Sequence, residues 1–97
     1  MPDLKTVDLN LLVALDVLLA ERSVRGAARR LNLTPPAMSH KLRRIRALVG
    51  DEVLVRAGRS MVATARAEAL AEPVRALLSQ AQALLADPQP FSPATLR

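Results

Sequence analysis

Ser23-Val24-Arg25-Gly26-Ala27-Ala28-Arg29-Arg30-Leu31-Asn32-Leu33-Thr34-Pro35-Pro36-Ala37-Met38-Ser39-His40-Lys41-Leu42-Arg43-Arg44-Ile45-Arg46 is the stretch on which the reading of this chain turns. Two caps divide it. Ser23 can accept hydrogen bonds from the free N–H groups of a helix that follows it. Thr34 can do the same for a second helix, whose first position suits Pro35 because no N–H donor is needed there. In the first helix Val24, Ala27, Ala28 and Leu31 fall at i, i+3, i+4 and i+7, one apolar stripe whose alanines admit a close neighbour. Asn32-Leu33 is then a turn. In the longer helix Met38, Leu42, Ile45 and Val49 make the inward stripe, while Pro36, Ser39, His40 and Arg43 lie on a different face. Lys41, Arg44 and Arg46 flank it, and Gly50 is the expected residue just past its end. A short helix, a tight turn and a longer basic helix are the parts of a unit that lays its second helix in a DNA groove.

Composition narrows the partner. A formal net charge of +5 over 97 residues, half of them hydrophobic, suits one small domain with an acidic partner. Phe91 is the only aromatic residue, which argues against single strands and RNA, where bases stack on aromatic platforms. Duplex DNA, read through charge and groove shape, is left. Without cysteine there is neither a disulfide framework nor a thiolate metal site, and His40, the only histidine, has no second imidazole with which to share a metal. No cofactor is expected. An enzyme is disfavoured too, because Ser39 and His40 are adjacent in a helix and point about 100° apart, wrong for a nucleophile and its base. The apolar run from Leu9 to Ala20 follows Asp3 and Asp8, is interrupted by Asp16 and lacks a basic leader. It is too short to span a bilayer, so a cytoplasmic protein is the expectation.

Thr6 or Asp8 can cap the first helix of the chain, which should run to about Glu21. Leu9, Leu11, Leu12, Val13, Leu15, Val17, Leu18 and Leu19 cover far more than one stripe of it. Either something outside the domain covers the remainder, or the domain wraps this helix as its central element. After Gly50, Val53-Leu54-Val55-Arg56 and Met61-Val62-Ala63 flank Ala57-Gly58-Arg59-Ser60, which reads as a hairpin or wing with a basic tip. Arg56 and Arg59 could reach phosphates or a narrow minor groove, although an isolated tip of this kind is commonly a solvated turn.

Thr64 should cap a final helix running to about Ala86. Leu70, Val74, Leu77, Ala81 and Leu84 step by four, three, four and three, a heptad seam suited to a partner helix, with Pro73 expected to bend it. An amphipathic helix more commonly folds back onto its own domain, but pairing of this helix with the first helix of a second copy would cover both apolar excesses. The fold class is therefore mainly α: a winged helix-turn-helix of three helices plus a two-stranded wing, followed by a long dimerisation or linker helix. Residues 1–63 form the DNA-binding domain on this reading and residues 64–86 the linker helix. Residues 87–97, Pro-rich, read as the remnant of an interdomain linker in an excised front end, a natural extended tail being the alternative.

The division of labour follows from residue type. Ser23, Arg25, Lys41, Arg43 and Arg44 are expected on phosphates; Thr34, Pro35, Pro36, Met38, Ser39 and His40 are expected to face bases, the apolar ones toward thymine methyls. A helical adaptor binding other proteins through the same apolar surfaces is the alternative. Concentration of arginine on the helix-turn-helix unit favours DNA.

From Leu9 to about Leu85 the pattern resembles the N-terminal domain of LysR-type transcriptional regulators. The residues that carry this resemblance are the apolar opening helix, Ser23, Ala27-Ala28-Arg29-Arg30-Leu31-Asn32-Leu33, Pro36-Ala37-Met38-Ser39, Leu42, Arg44, Gly50, Val53-Leu54-Val55-Arg56, Arg59 and Thr64. Arg46 after Ile45, Asp51 after Gly50, and Pro73-Val74 look closer to the branch that contains the nodulation regulators. The resemblance implies a bacterial regulator that binds an imperfect promoter dyad and dimerises through the linker helix, possible tetramers being a matter for the full-length parent. It also implies that a small-molecule inducer is sensed in a C-terminal domain absent from this chain. It places Thr34, Pro36, Met38, Ser39 and Lys41 at the major groove and Arg56 in the minor groove. Pro35 stands where the family usually has glutamine, His40 where it usually has arginine, and Ala67 where it has glycine, which should do little beyond favouring helix.

Overall fold

The computed structural model describes residues 3–86, so the expected linker at 87–97 lies outside the described residues. Its elements are α1 (Asn10–Glu21), α2 (Val24–Leu31), α3 (Pro35–Val49), β1 (Leu54–Ala57), β2 (Ser60–Ala63) and α4 (Ala65–Ala86). This is the winged helix-turn-helix with a long following helix that the sequence predicts.

The caps work as their chemistry requires. Ser23 Oγ accepts from the Gly26 N–H at 3.0 Å and Thr34 Oγ1 from the Ala37 N–H at 3.2 Å. At α1 the cap position falls on Leu9, which has no side-chain bond to give, and Asp8 just before it accepts from the Asn10 N–H at 3.0 Å; Thr6 instead donates its hydroxyl to the Asp3 carbonyl. Each of α1, α2 and α3 ends on a left-handed residue: Arg22 (φ 53°), Asn32 (φ 58°) and Gly50 (φ 69°). Around Gly50 there is open space for a side chain, so glycine is favoured there by φ alone.

α1 is the central element. Leu11, Ala14, Leu15, Val17, Leu18 and Leu19 are all buried, and α2, α3 and α4 each pack on it. Most of its apolar excess is therefore wrapped within the chain, with Leu9 and Val13 left exposed. Ala27 and Ala28 bring α2 close, and Met38, Leu42 and Ile45 seat α3.

The strands pair antiparallel, Leu54 with Ala63 through Ala57 with Ser60. Val53, expected to open the first strand, lies outside it. Its φ is +70°, and the Leu54 N–H donates to the Glu52 carbonyl across it at 2.7 Å, a three-residue turn that is rare and strained for a β-branched residue. Such strain costs about 1–3 kcal/mol. Complete burial of the Val53 side chain offsets it, as do hydrogen bonds from both ends of the wing. Asp51 Oδ2 accepts from the Val53 N–H at 2.7 Å and from Thr64 Oγ1, while the Val53 carbonyl accepts the Thr64 N–H at 3.0 Å. Thr64 Oγ1 in turn accepts the Ala67 N–H at 3.1 Å and caps α4.

α4 runs unbroken through Pro73, which is exposed, so water can reach the Ala69 carbonyl that proline leaves without its donor. Its first half folds back on its own domain. Ala67 and Val74 are buried, Leu70, Ala71 and Leu78 pack partly against the core, and Arg75 reaches Asp16 at 3.8 Å. Two expectations are corrected here. Ala67 does more than favour helix, since its methyl is in the core. Val74 is not available to a partner helix, because the same heptad spacing is met by α1 of its own chain.

The bonds from Thr64 and the Val53 amide, with Arg66 nearby, hold the Asp51 carboxyl below the usual aspartate range. A lowered folded-state value means that the stabilisation is present above about pH 4 and is lost as pH falls through that lower value. Melting temperature should therefore drop on acidification below about pH 4. Asp51→Asn should lower it at neutral pH and flatten that acid limb, as checked by thermal melts of both proteins between pH 7 and pH 2; an unchanged limb would contradict this.

Candidate nucleic-acid interface

Burial of Met38, Leu42 and Ile45 fixes the rotation of α3, and with it the side chains that face away from the domain. Pro36, His40 and Arg43 are exposed on the outward side, with Thr34 and Pro35 exposed at its start; Ser39 and Lys41 are half-buried on opposite flanks. Met38 leaves the base-facing set. It is fully buried, because the periodicity that seats α3 on α1 claims the same position. Lys41 lines a small hollow with Asn10, Val13 and Leu33 at the α1 edge. An Arg43 N–H donates to His40 Nδ1 at 3.2 Å, and guanidinium has no acceptor, so a neutral His40 carries its proton on Nε2, pointing a donor outward.

The wing tip turns through Gly58 (φ +65°), with Ser60 Oγ donating to the Ala57 carbonyl at 3.3 Å. Arg56 and Arg59 line an open cleft of about 720 Å³ between the wing and the start of α2, shared with Arg22, Ser23, Arg25 and Met61. Among the described residues no carboxylate lines it. Ser23 Oγ serves the α2 cap, which leaves its hydroxyl proton free to donate.

Ion pairing separates the arginines into two sets. Among the described residues Arg22 pairs with Glu68 at 2.8 Å, Arg30 with Glu21 at 3.2 Å, Arg44 with Asp8 at 3.4 Å, Arg46 with Glu52 at 3.7 Å and Arg75 with Asp16 at 3.8 Å. None of these pairs involves Arg25, Arg43, Arg56, Arg59 or Lys41. The same is true of Arg29, exposed one turn beyond Arg25, which the sequence reading passed over although i, i+4 spacing puts the two side by side. Arg22 was passed over as well: it sits at a helix end, and only the fold brings it to the wing. Arg44, expected on a phosphate, is held by Asp8 but remains nearly half exposed.

Away from this face, the seam on α4 is divided. Leu70 is half-buried and Val74 buried, whereas Leu77, Ala81 and Leu84 are exposed, as is Leu85. Between α1 and the second half of α4 lies a groove of about 610 Å³, lined mainly by the apolar Val13, Val17, Leu78, Ala81 and Leu85, with Asp16, Arg30 and Gln82 also lining it. Among the described residues no helix is long and apolar enough to cross a membrane, and no cluster of acidic or histidine side chains could hold a metal ion.

Residues 9–68 match the family model described as "Bacterial regulatory helix-turn-helix protein, lysR family". Nodulation protein D 1 of Bradyrhizobium sp. (strain NC92) is 47% identical over 90 residues, covering 93% of this chain and 29% of that protein. The chain thus spans less than a third of the curated relatives it matches. The crystal structure of the probable transcriptional regulator PA0477 from Pseudomonas aeruginosa superposes with a TM-score of 0.80 at 41% identity, over 88% of this chain and 28% of that one. Vibrio fischeri DarR, solved in complex with DNA, gives a TM-score of 0.78 at 25% identity, over 92% of this chain and 30% of that one. The match over the helix-turn-helix, the wing and the start of α4 settles the affiliation: the chain belongs to the lysR family of bacterial regulatory helix-turn-helix proteins.

Proposed function

We propose that this chain is the DNA-reading front end of a bacterial transcriptional regulator, binding an imperfect dyad in duplex DNA as a homodimer. α3 enters the major groove and the wing enters the adjacent minor groove. The observation that carries this reading is the division of the cations. Among the described residues, those at the start of α2, on the outward face of α3 and on the wing have no internal counter-ion, whereas most of the others do. Arg25, Arg43, Lys41, Arg56 and Arg59 supply affinity by displacing counter-ions from phosphates, with Arg56 and Arg59 doing so from the minor-groove side. Ser39, His40 and Thr34 supply hydrogen bonds to base edges and Pro36 an apolar contact, His40 through its outward Nε2–H.

Dimerisation falls to the second half of α4. Leu77, Ala81, Leu84 and Leu85 and the groove beside them are the apolar surface left for a second copy. Residues 1–63 serve as the reading domain and residues 64–86 as the dimerising linker, continuous with the core through Ala67 and Val74. The whole protein senses a small molecule in a further domain and acts in the cytoplasm, where its DNA is. The likeness to DarR, which was solved in complex with DNA, supports the DNA-binding part of this reading.

Selection of bound duplexes from random DNA, followed by a salt titration, is the test. An interrupted dyad should be enriched; its affinity should fall steeply with salt. Arg43→Ala should reduce the slope of log K against log salt by about 0.9 per half-site, while Arg75→Ala, whose partner is Asp16, should leave it unchanged. Ser39→Ala should relax base preference at one position by about 1 kcal/mol, the worth of a single hydroxyl hydrogen bond. No enriched sequence would refute the reading.

Sedimentation velocity checks the second half of α4. Leu84→Gln with Leu85→Gln should shift a dimer to monomer without lowering the melting temperature of the domain, because both side chains are exposed in the single chain. Unchanged sedimentation would place the dimer contact elsewhere.

A further inference from the structure

We infer that Arg46 is a positioning residue: it fixes the wing against α3 and so sets where Arg56 meets DNA relative to the recognition helix. The inference rests on the DNA-reading proposal above. Arg46 looks in sequence like one more phosphate contact, lying on the same basic helix as Lys41, Arg43 and Arg44. Its geometry is different. Nε donates to the Glu52 carbonyl at 2.7 Å and Nη2 donates to the Leu54 carbonyl at 3.0 Å, so one planar guanidinium spans the strained turn at Val53 and grips both sides of it. The Glu52 carboxylate lies 3.7 Å from Nε and offsets the charge, and the side chain is only one-third exposed. A cation so engaged is poorly placed to displace counter-ions from phosphate.

The grip is the middle of three. Asp51 ties the entry of the wing to its exit by accepting from the Val53 N–H and Thr64 Oγ1. Arg66 Nε, from the first turn of α4, donates to the Val49 carbonyl at 3.2 Å at the end of α3. Of these only Arg46 bonds a side chain of α3 directly to the strand that bears Arg56. Leu54 is buried and is the first residue of β1; Arg56 follows two residues later on the same face, about 7 Å along the strand. A two-stranded hairpin is marginal by itself, so its direction depends on what holds its base. Ser39 stands seven residues before Arg46, nearly two turns, and so on the same side of α3. Loss of the grip should therefore uncouple the wing from the helix without removing any group that touches DNA.

The test uses the duplex enriched by wild-type protein and a scrambled duplex of equal length. Arg46→Ala should lower the preference for the enriched duplex about tenfold or more, while affinity for the scrambled duplex and its salt slope stay as in wild type. Arg46→Lys keeps the charge but replaces the planar two-nitrogen fork with a single flexible nitrogen, so it should recover only part of the preference. Arg56→Ala added to Arg46→Ala should cost no more than either change alone. In the free protein, hydrogen exchange at the wing amides should quicken in Arg46→Ala and Arg46→Lys while the α1 amides keep their protection, which separates a loosened wing from an unfolded domain. A salt slope that falls by about one on both duplexes, full rescue by lysine, or multiplicative Arg46 and Arg56 effects would overturn the inference and make Arg46 a phosphate contact. Absence of any preference in wild-type protein would instead sink the DNA-reading proposal, and this inference with it.

Discussion

The seating of α3 on α1 through Met38, Leu42 and Ile45 is the constraint from which the rest of the interface follows. In a helix each residue turns about 100° from the last, so once those three are buried the directions of His40, Arg43 and Arg44 are fixed within a narrow range. Deep burial makes that rotation expensive to change: shifting α3 by one residue would bring Ser39 and Arg43 into the core and expose Met38 and Leu42. Uncompensated burial of an arginine or a hydroxyl costs several kcal/mol. The outward face of α3 is therefore a consequence of packing, and its residues are free to vary in chemistry without endangering the fold.

Electrostatics builds on that frame. Carboxylates at Asp8, Asp16, Glu21, Glu52 and Glu68 each lie against an arginine, and those pairs are exposed enough to add little stability. Their larger effect is on the field. They offset the charge of those arginines, whereas Arg25, Arg43, Arg56 and Arg59 pair with no carboxylate among the described residues, and positive charge left uncompensated in this way attracts polyanions.

The parts of this architecture written in local chemistry were legible in the sequence. Ser23, Thr34, Gly50 and Thr64 mark helix ends by hydrogen bonding or by φ preference, both properties of a residue and its immediate neighbours. The limits appear where one position answers to two demands. Met38 fits both the inward stripe and the groove-facing pattern, and only the packed helix shows that the stripe prevails. Val74 fits a seam between copies, yet the same spacing is satisfied by α1 of its own chain. Val53 reads as strand because valine favours strands; its left-handed turn depends on Asp51 and Thr64, the latter eleven residues on, which no local pattern reveals. Arg46 was visible as a charge, whereas its role depends on two backbone carbonyls brought to it by that same turn.

The account's central claim is that the uncompensated cations of α2, α3 and the wing form one face that meets duplex DNA. NMR titration of the isotope-labelled chain with a short random-sequence duplex at low salt tests it most directly, because non-specific binding already engages the phosphate-contacting face. The account predicts shift changes at His40, Arg43, Arg56, Arg59 and the amides around Ser23 and Arg25, with Val13, Asp16, Arg75 and Leu85 unmoved. Changes concentrated on the groove between α1 and the end of α4, with α3 and the wing silent, would contradict it.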